Sequence, residues 1–324
     1  MTNRHRFPDH IILVMGLFLL APFSTLRSDD SGKKPELGKK VCIWKLSDAD
    51  NTVYLAGSVH LLRKSDLPIP SAYETVYRDS DRVIFEVDMK VMEDPATLPK
   101  LRKLGVLPEG DKLENHLSTK TMSALRSYLK TVGIPRAQLD RSKPGMVLLT
   151  ISTLQAMKMG ASPENGLETQ FYKRCIEENK PSSGLETMEY QLNIFNELSD
   201  EEVDAKLTET FHKMGEEEET LEKMIAFWKN GEPEKMGKLI DKEMKPGSRF
   251  RKLLLTDRNR NWIPAIEKAL LGKENTLFLV GTAHLTGNGS VVDLLRERGL
   301  KFEQLTIRES PASAPREQEA VEAF

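Results

Sequence analysis

At 324 residues, 39% hydrophobic and 30% charged, the chain carries enough apolar material for one large globular domain or two small ones and is not an intrinsically disordered sequence. Its formal net charge of −2 supplies no general pull toward nucleic acid, whose binding domains carry a basic face, so no nucleic-acid partner is expected. Two cysteines, Cys42 and Cys175, are too few for a disulfide scaffold, and no bridge is assigned to them.

The chain opens with Arg4, His5 and Arg6 ahead of a 13-residue apolar run, IILVMGLFLLAPF, from Ile11 to Phe23. That run is short for a transmembrane helix and suits the core of a signal peptide. Residues 1–28 are therefore expected to direct export, placing the protein outside the cytoplasm, periplasmic or secreted. The following FSTLRSDD offers weak small-residue pairs for cleavage, which leaves an uncleaved N-terminal anchor, and with it a membrane tether, as the alternative. The polar stretch to residue 40 reads as a linker, 29–40.

A folded body is expected over 41–307. It begins with two β-rich runs separated by SDADN, a hairpin pattern, and the second run, VYLAGSV, is apolar enough to be buried. SAYETVYRDS places Tyr73, Val76 and Tyr77 on one side of a short helix, and RVIFEVDM at 82–89 is again a strand. Strand, helix, strand implies a crossover between parallel strands.

Residues 98–260 read as almost wholly helical. Leu117, Met122, Leu125, Leu129 and Val132 fall on one face of LSTKTMSALRSYLKTVG, whereas PGMVLLTISTLQAMKMG is apolar nearly all round and so expected to be buried. GLETMEYQ at 184–191 suggests a brief strand ending at Glu186 before another helix. The acidic run 216–219 reads as a solvated helix face.

The body closes as it began, with a helix at IPAIEKALLG, a buried strand at TLFLVGT, a helix at SVVDLLRERG ended by Gly299, and a last strand at LKFEQLTI. The tail, 308–324, has the Pro, Ser, Ala and Glu content of a disordered end. The expected fold class is α/β (α+β), with a central mixed sheet drawn from the N- and C-terminal parts and a large helical middle region.

GSVH at 57–60 and GTAH at 281–284 share a Gly-x-x-His pattern, each at the end of a buried strand; GLET also occurs twice, at 166 and 184. Ligand sites in open α/β sheets lie beyond the carboxyl ends of the strands, where glycine allows a sharp turn and close approach. If the two strands are near and parallel, His60 and His284 converge, and Glu86 at a third strand end completes a two-imidazole, one-carboxylate metal site with room for water. Taken singly, each of these residues has an ordinary structural reading as a hydrogen-bonded histidine or a capping glutamate; the matched pair is what raises them above it. His116 and His212 lack such context and read as surface residues. No Gly-x-Ser-x-Gly elbow, phosphate-binding Gly-x-x-x-x-Gly-Lys loop or His-Glu-x-x-His helix is present.

The ordered series GSVHLL, SDRVIFEVD, KPGMVLLT, GLETQFYKRC, GLETMEYQ, LLTDRNRNW and LVGTAHLTGNGSVVDLL resembles the TraB/GumN family, which includes the Tiki metalloproteases, over about 42–307. The resemblance implies a Tiki-like fold and divalent-metal-dependent cleavage of peptide bonds in a peptide or protein substrate, with Mn, Co or Zn as the ion. His60 and His284 match the paired motif histidines, Glu86 the glutamate after the first, Glu186 the Leu-Glu-Thr element and Arg258 the Arg-Asn element. Glu168 stands where the family often has Asp, and no role is assigned to it. In the mechanism this implies, His60, Glu86 and His284 hold the ion, Glu186 is the general base and Arg258 stabilises the oxyanion, with the parts of Glu86 and Glu186 open to exchange. The alternative is a noncatalytic binder that uses the same cleft for a peptide or a haem-like ligand.

Overall fold

The computed structural model describes residues 39–215 and 217–307. The expected signal segment or anchor, most of the linker and the C-terminal tail lie outside the described residues. The frame is a six-stranded mixed sheet in the order β4-β3-β5-β2-β1-β6.

β1 (Lys39–Ser47) and β2 (Thr52–Ser58) form the antiparallel hairpin, closing at Ser47 and Thr52. Asp48 shapes its turn by accepting the backbone N–H groups of Asp50 and Asn51 at 2.8 and 2.9 Å. Lys39 and Lys40 belong to this strand rather than to a linker, because they pair with Ile307 and Thr306 of β6 (Glu303–Ile307). β2 and β5 (Thr276–Gly281) are interior strands with neighbours on both edges, which is why both read as continuous apolar runs rather than alternating ones.

β3 (Arg82–Val87) and β4 (Ser182–Glu186) complete a parallel set with β2 and β5. The crossover helix α1 (Ser71–Asp79) buries Ala72, Tyr73, Val76 and Tyr77 along one face. β2 and β3 are parallel as expected but are not neighbours, since β5 from the far end of the chain lies between them. The carboxyl ends of β2, β5, β3 and β4 therefore open at one end of the sheet.

The middle of the chain supplies α2 (Thr97–Leu104), α3 (Thr119–Thr131), α4 (Pro144–Lys158) and α5 (Leu167–Glu177) before β4. After it come α6 (Met188–Asn196), α7 (Asp200–His212), α8 (Glu217–Lys229), α9 (Pro233–Glu243), α10 (Arg249–Arg251) and α11 (Asp257–Leu270). α4, started by Pro144, packs against α6, α7 and α8, and this accounts for its apolar circumference. α3 is capped by Ser118 and buries Met122, Leu125 and Leu129. Glu218 and Glu219 are exposed on α8. α12 (Thr282–Leu285) and α13 (Val291–Glu297) follow β5.

His116 is half-buried at the surface, where its two ring nitrogens bridge Asp200 and Asp111 at 2.7 and 2.8 Å and tie the segment before α3 to the start of α7. His212 is exposed. Cys42 and Cys175 are both buried and free. No helix among the described residues is long and apolar enough to cross a membrane.

Candidate functional site

The two Gly-x-x-His segments sit side by side, with Ser58 of β2 in register with Gly281 of β5. Each glycine clears space for the other motif. A Cβ at Gly57 would stand 2.8 Å from Thr282 Oγ1, and one at Gly281 would stand 3.0 Å from Glu86 Oε1 and 3.1 Å from His60 Nε2. Thr282 in turn donates its hydroxyl to the Ser58 carbonyl at 2.9 Å. Beyond this lock β2 turns out into His60, while β5 runs straight into the short α12 that carries His284.

Both imidazoles are fixed through Nδ1. His60 Nδ1 lies 2.8 Å from Glu168 Oε1, which also receives the Ser58 hydroxyl. His284 Nδ1 lies 2.6 Å from Asn259 Oδ1. The orientation of that amide is set by its nitrogen, which donates to the Gly289 carbonyl at 2.8 Å. His284 is further held against Trp262, ring centroids 4.3 Å apart. With Nδ1 committed in each ring, the two Nε2 atoms face one carboxylate oxygen, each 3.7 Å from Glu86 Oε1.

Arg258 brings a permanent positive charge to the site. It follows a single turn of π-helix, Lys252–Thr256, between α10 and α11, a local widening of the helix often found at functional positions. Its Nη2 donates to Glu86 Oε2 at 2.6 Å and to Glu186 Oε2 at 2.8 Å, its Nε to Glu186 Oε1 at 3.0 Å, and its Nη1 approaches His284 Nε2 at 3.1 Å. Glu186 also accepts from Trp262 Nε1 and Gln191 Nε2, both at 2.8 Å. Glu86 Oε1 takes the Gly281 N–H at 2.6 Å.

These contacts decide the charges. Burial alone would raise Glu86, but Arg258, the two histidines and the Gly281 N–H hold its carboxyl well below the usual range, so it is ionised. Burial and the neighbouring Arg258 charge outweigh Glu86 and pull His284 down to about 3, leaving a neutral ring whose Nε2 lone pair faces the guanidinium. His60 behaves oppositely: burial disfavours its charge, yet Glu168 and then Glu86 lift it to about 9.

The donor types suit a divalent ion: two imidazole nitrogens oriented through their far side, as metal-bound histidines usually are, and one carboxylate oxygen. Among the described residues, however, no three His, Cys, Asp or Glu side chains stand as a formed metal site. Arg258 occupies part of the donor set, since Nη1 holds the His284 lone pair that an ion would need, while Nη2 binds the second Glu86 oxygen, Oε2. An ion taken up by His60, Glu86 and His284 must displace the Arg258 contact to His284 and the proton that His60 holds.

His60, Glu86, Arg258 and His284 form the polar floor of a pocket of about 990 Å³ including its open mouth, with walls that include Met224, Met236, Leu239 and Leu254. Glu186 is not among the lining residues; both of its oxygens are spent on Arg258, Trp262 and Gln191, so it stands behind the arginine as its anchor. Sequence reasoning missed Glu168, Asn259, Gln191 and Trp262. A signal existed for the first in the repeated GLET. Its two glutamates each hold one cationic member of the site, Glu168 on His60 and Glu186 on Arg258. Its two glycines each lie flush on backbone, Gly166 against the His60 carbonyl and Gly184 against Asp88.

A sequence model of the TraB/PrgY/gumN family matches residues 42–304. Among similar curated proteins, the uncharacterized protein YbaP of Escherichia coli is 23% identical over 75% of this chain and 87% of its own length. Metalloprotease TIKI1 of Xenopus tropicalis is 22% identical over 90% of this chain and 67% of its own length. Metalloprotease TIKI2 of Danio rerio is 23% identical over 82% and 61%. No solved structure matches the chain closely enough to be counted as similar.

Proposed function

The chain belongs to the TraB/PrgY/gumN family, and on that premise we propose that it is a divalent-metal-dependent hydrolase acting on peptide bonds, with His60, Glu86 and His284 as the ion's donors. The observation that carries this reading is the convergence of two Nδ1-anchored imidazoles on Glu86 Oε1, each Nε2 at 3.7 Å, on the floor of an open pocket with apolar walls. Mn, Co or Zn would suit the donor set. When bound, such an ion supplies a water of lowered pKa and polarises the scissile carbonyl.

The chain's own residues do the rest. Arg258, held by Glu186 and stacked near Trp262 at 5.1 Å, presents a fixed positive charge at the pocket floor, suited to a carbonyl oxygen that gains charge. Glu186, saturated by N–H donors, serves this geometry rather than proton transfer, so of the two exchangeable carboxylates we assign Glu86 to the donors and Glu186 to positioning Arg258. Glu168 and Asn259 keep each imidazole turned with Nε2 toward the pocket.

The test is turnover of a peptide library by purified protein. Cleavage that stops with chelator and returns with added Mn, Co or Zn supports the proposal; chelator-resistant cleavage overturns it. A second reading draws on the Arg258–His284 contact, which closes the metal position in this arrangement: the cleft would bind a peptide or a haem-like ligand without cleaving it. Absorbance of bound haem with no turnover under any metal would favour that reading. We further propose that residues 1–40 export the chain, cleaved or as a tether. A reporter active only outside the cytoplasm, fused after residue 40, should become active, and an inactive soluble fusion would contradict export.

A further inference from the structure

The inner face of α9 contributes Met236, Leu239, Ile240 and Glu243 to the pocket wall, residues at helical spacing that all point the same way. Three are apolar, and an apolar residue at the fourth position would complete the stripe. Glu243 is a carboxylate instead. Both of its oxygens are shielded from water and have no hydrogen-bond partner among the described residues.

The nearby cations do not satisfy it. Lys206 and Lys213 both give their ammonium groups to Glu209, the first at 2.8 Å. Buried carboxylates without partners are rare because burial without a hydrogen bond is costly, and one in the wall of a pocket is a candidate contact for a ligand. The wall that carries it is docked onto the segment bearing His284, since Gly237 of α9 packs directly against Gly287, so Glu243 and the polar floor share one rigid frame.

We propose that Glu243 and the apolar wall around it form a subsite for a primary ammonium on an apolar stem, as found in a lysine side chain or a peptide's free N-terminus. The chemistry is complementary at both ends: methylenes against Met236, Leu239 and Ile240, and a charge-assisted hydrogen bond to a carboxylate that has no other partner. Burial pushes Glu243 up to about 7 against the pull of Lys213, Lys206 and Lys242, with Glu209 adding to the rise. An arriving ammonium would stabilise its ionised form. The subsite rests on the pocket being the ligand site proposed above, and it names the substrate class of that site.

The test measures binding by the full chain, using calorimetry and three short peptides with amidated C-termini. One is N-acetylated with a central lysine, one is N-acetylated with norleucine in its place, and one carries norleucine and a free N-terminus. At least one amine-bearing peptide should bind about tenfold more tightly than the blocked norleucine peptide, and the arm that does so identifies the source of the ammonium. In Glu243→Gln, shown to be folded by thermal unfolding, the ratio should fall to about one, while Glu243→Asp should keep part of the preference. Equal affinities in the unaltered protein, a preference that survives Glu243→Gln, or no binding of any peptide would each overturn the inference. Chelator-sensitive turnover without amine preference would remove the subsite and leave the hydrolase standing; amine-selective binding without turnover would do the reverse.

Discussion

Arg258 Nη2 lies 2.6 Å from Glu86 Oε2 with both side chains buried, so the guanidinium acts as a resident cation of a site whose donors would otherwise suit a metal ion. The same arginine balances Glu186, and removing it leaves two buried carboxylates without their main partner.

Arg258→Met should therefore destabilise the metal-free protein by about 3–5 kcal/mol, the usual cost of breaking a buried ion pair from one side. Because the variant also frees the His284 Nε2 lone pair, added Zn or Mn should raise its melting temperature more than it raises that of the unaltered protein. Thermal unfolding with and without metal reads both effects, and a variant that ignores metal would count against His60, Glu86 and His284 as donors.

Gly281→Ala tests the same space without removing any donor. The backbone at Gly281, φ −52° and ψ 133°, is open to alanine, so β5 should persist. The new methyl would nevertheless stand 3.0 Å from Glu86 Oε1 and 3.1 Å from His60 Nε2. We expect a stability loss of about 1–3 kcal/mol from overpacking and a larger relative loss of bound metal. Elemental analysis showing normal metal content would contradict the placement of the ion.

Glu168→Gln and Asn259→Ala alter only the far side of each imidazole. Each should weaken metal binding about 10–100-fold while the fold is kept, as outer partners of ligating histidines do. Titration with a competing chelator measures this; unchanged affinity in both variants would mean that neither Nδ1 contact orients a ligand.

Glu243→Gln should change the pH dependence of stability. The carboxyl is raised from 4.5 to about 7 in the folded chain, mainly by burial, so between those values the folded state holds a proton that the unfolded state has lost. Stability therefore falls as pH rises from about 4.5 through about 7. Glutamine does not titrate, so the variant should match the unaltered protein near pH 4 and exceed it by about 1 kcal/mol at pH 8, a figure reduced from full linkage because the side chain is partly exposed. Denaturant unfolding across that range, with no growth in the difference, would show that the carboxylate is better solvated than its surroundings imply.

Much of this protein was legible in its residues alone. Apolar continuity marked β2 and β5 as interior strands, helical spacing marked α1 and α3, and the paired Gly-x-x-His segments singled out His60 and His284, because periodicity and turn chemistry are local properties that neighbouring residues settle among themselves. The tertiary structure alone decided what those residues touch. It inserted β5 between β2 and β3, which carried His284 to His60 and Glu86. It also turned Arg258 onto the His284 nitrogen, withdrew Glu186 from the pocket, and set Glu168 behind His60. Glu168 lies in the first turn of α5, where an acidic residue is favoured by the helix dipole in any case, so its local context hid its partner. Glu243 closes an amphipathic helix as any solvated glutamate would, and only the packing of α9 on the segment after His284 leaves it beside a pocket with its carboxylate shielded from water and without a hydrogen-bond partner. Contacts between distant elements depend on strand order and helix docking, which are set by the summed packing of the whole core rather than by any short stretch of the chain.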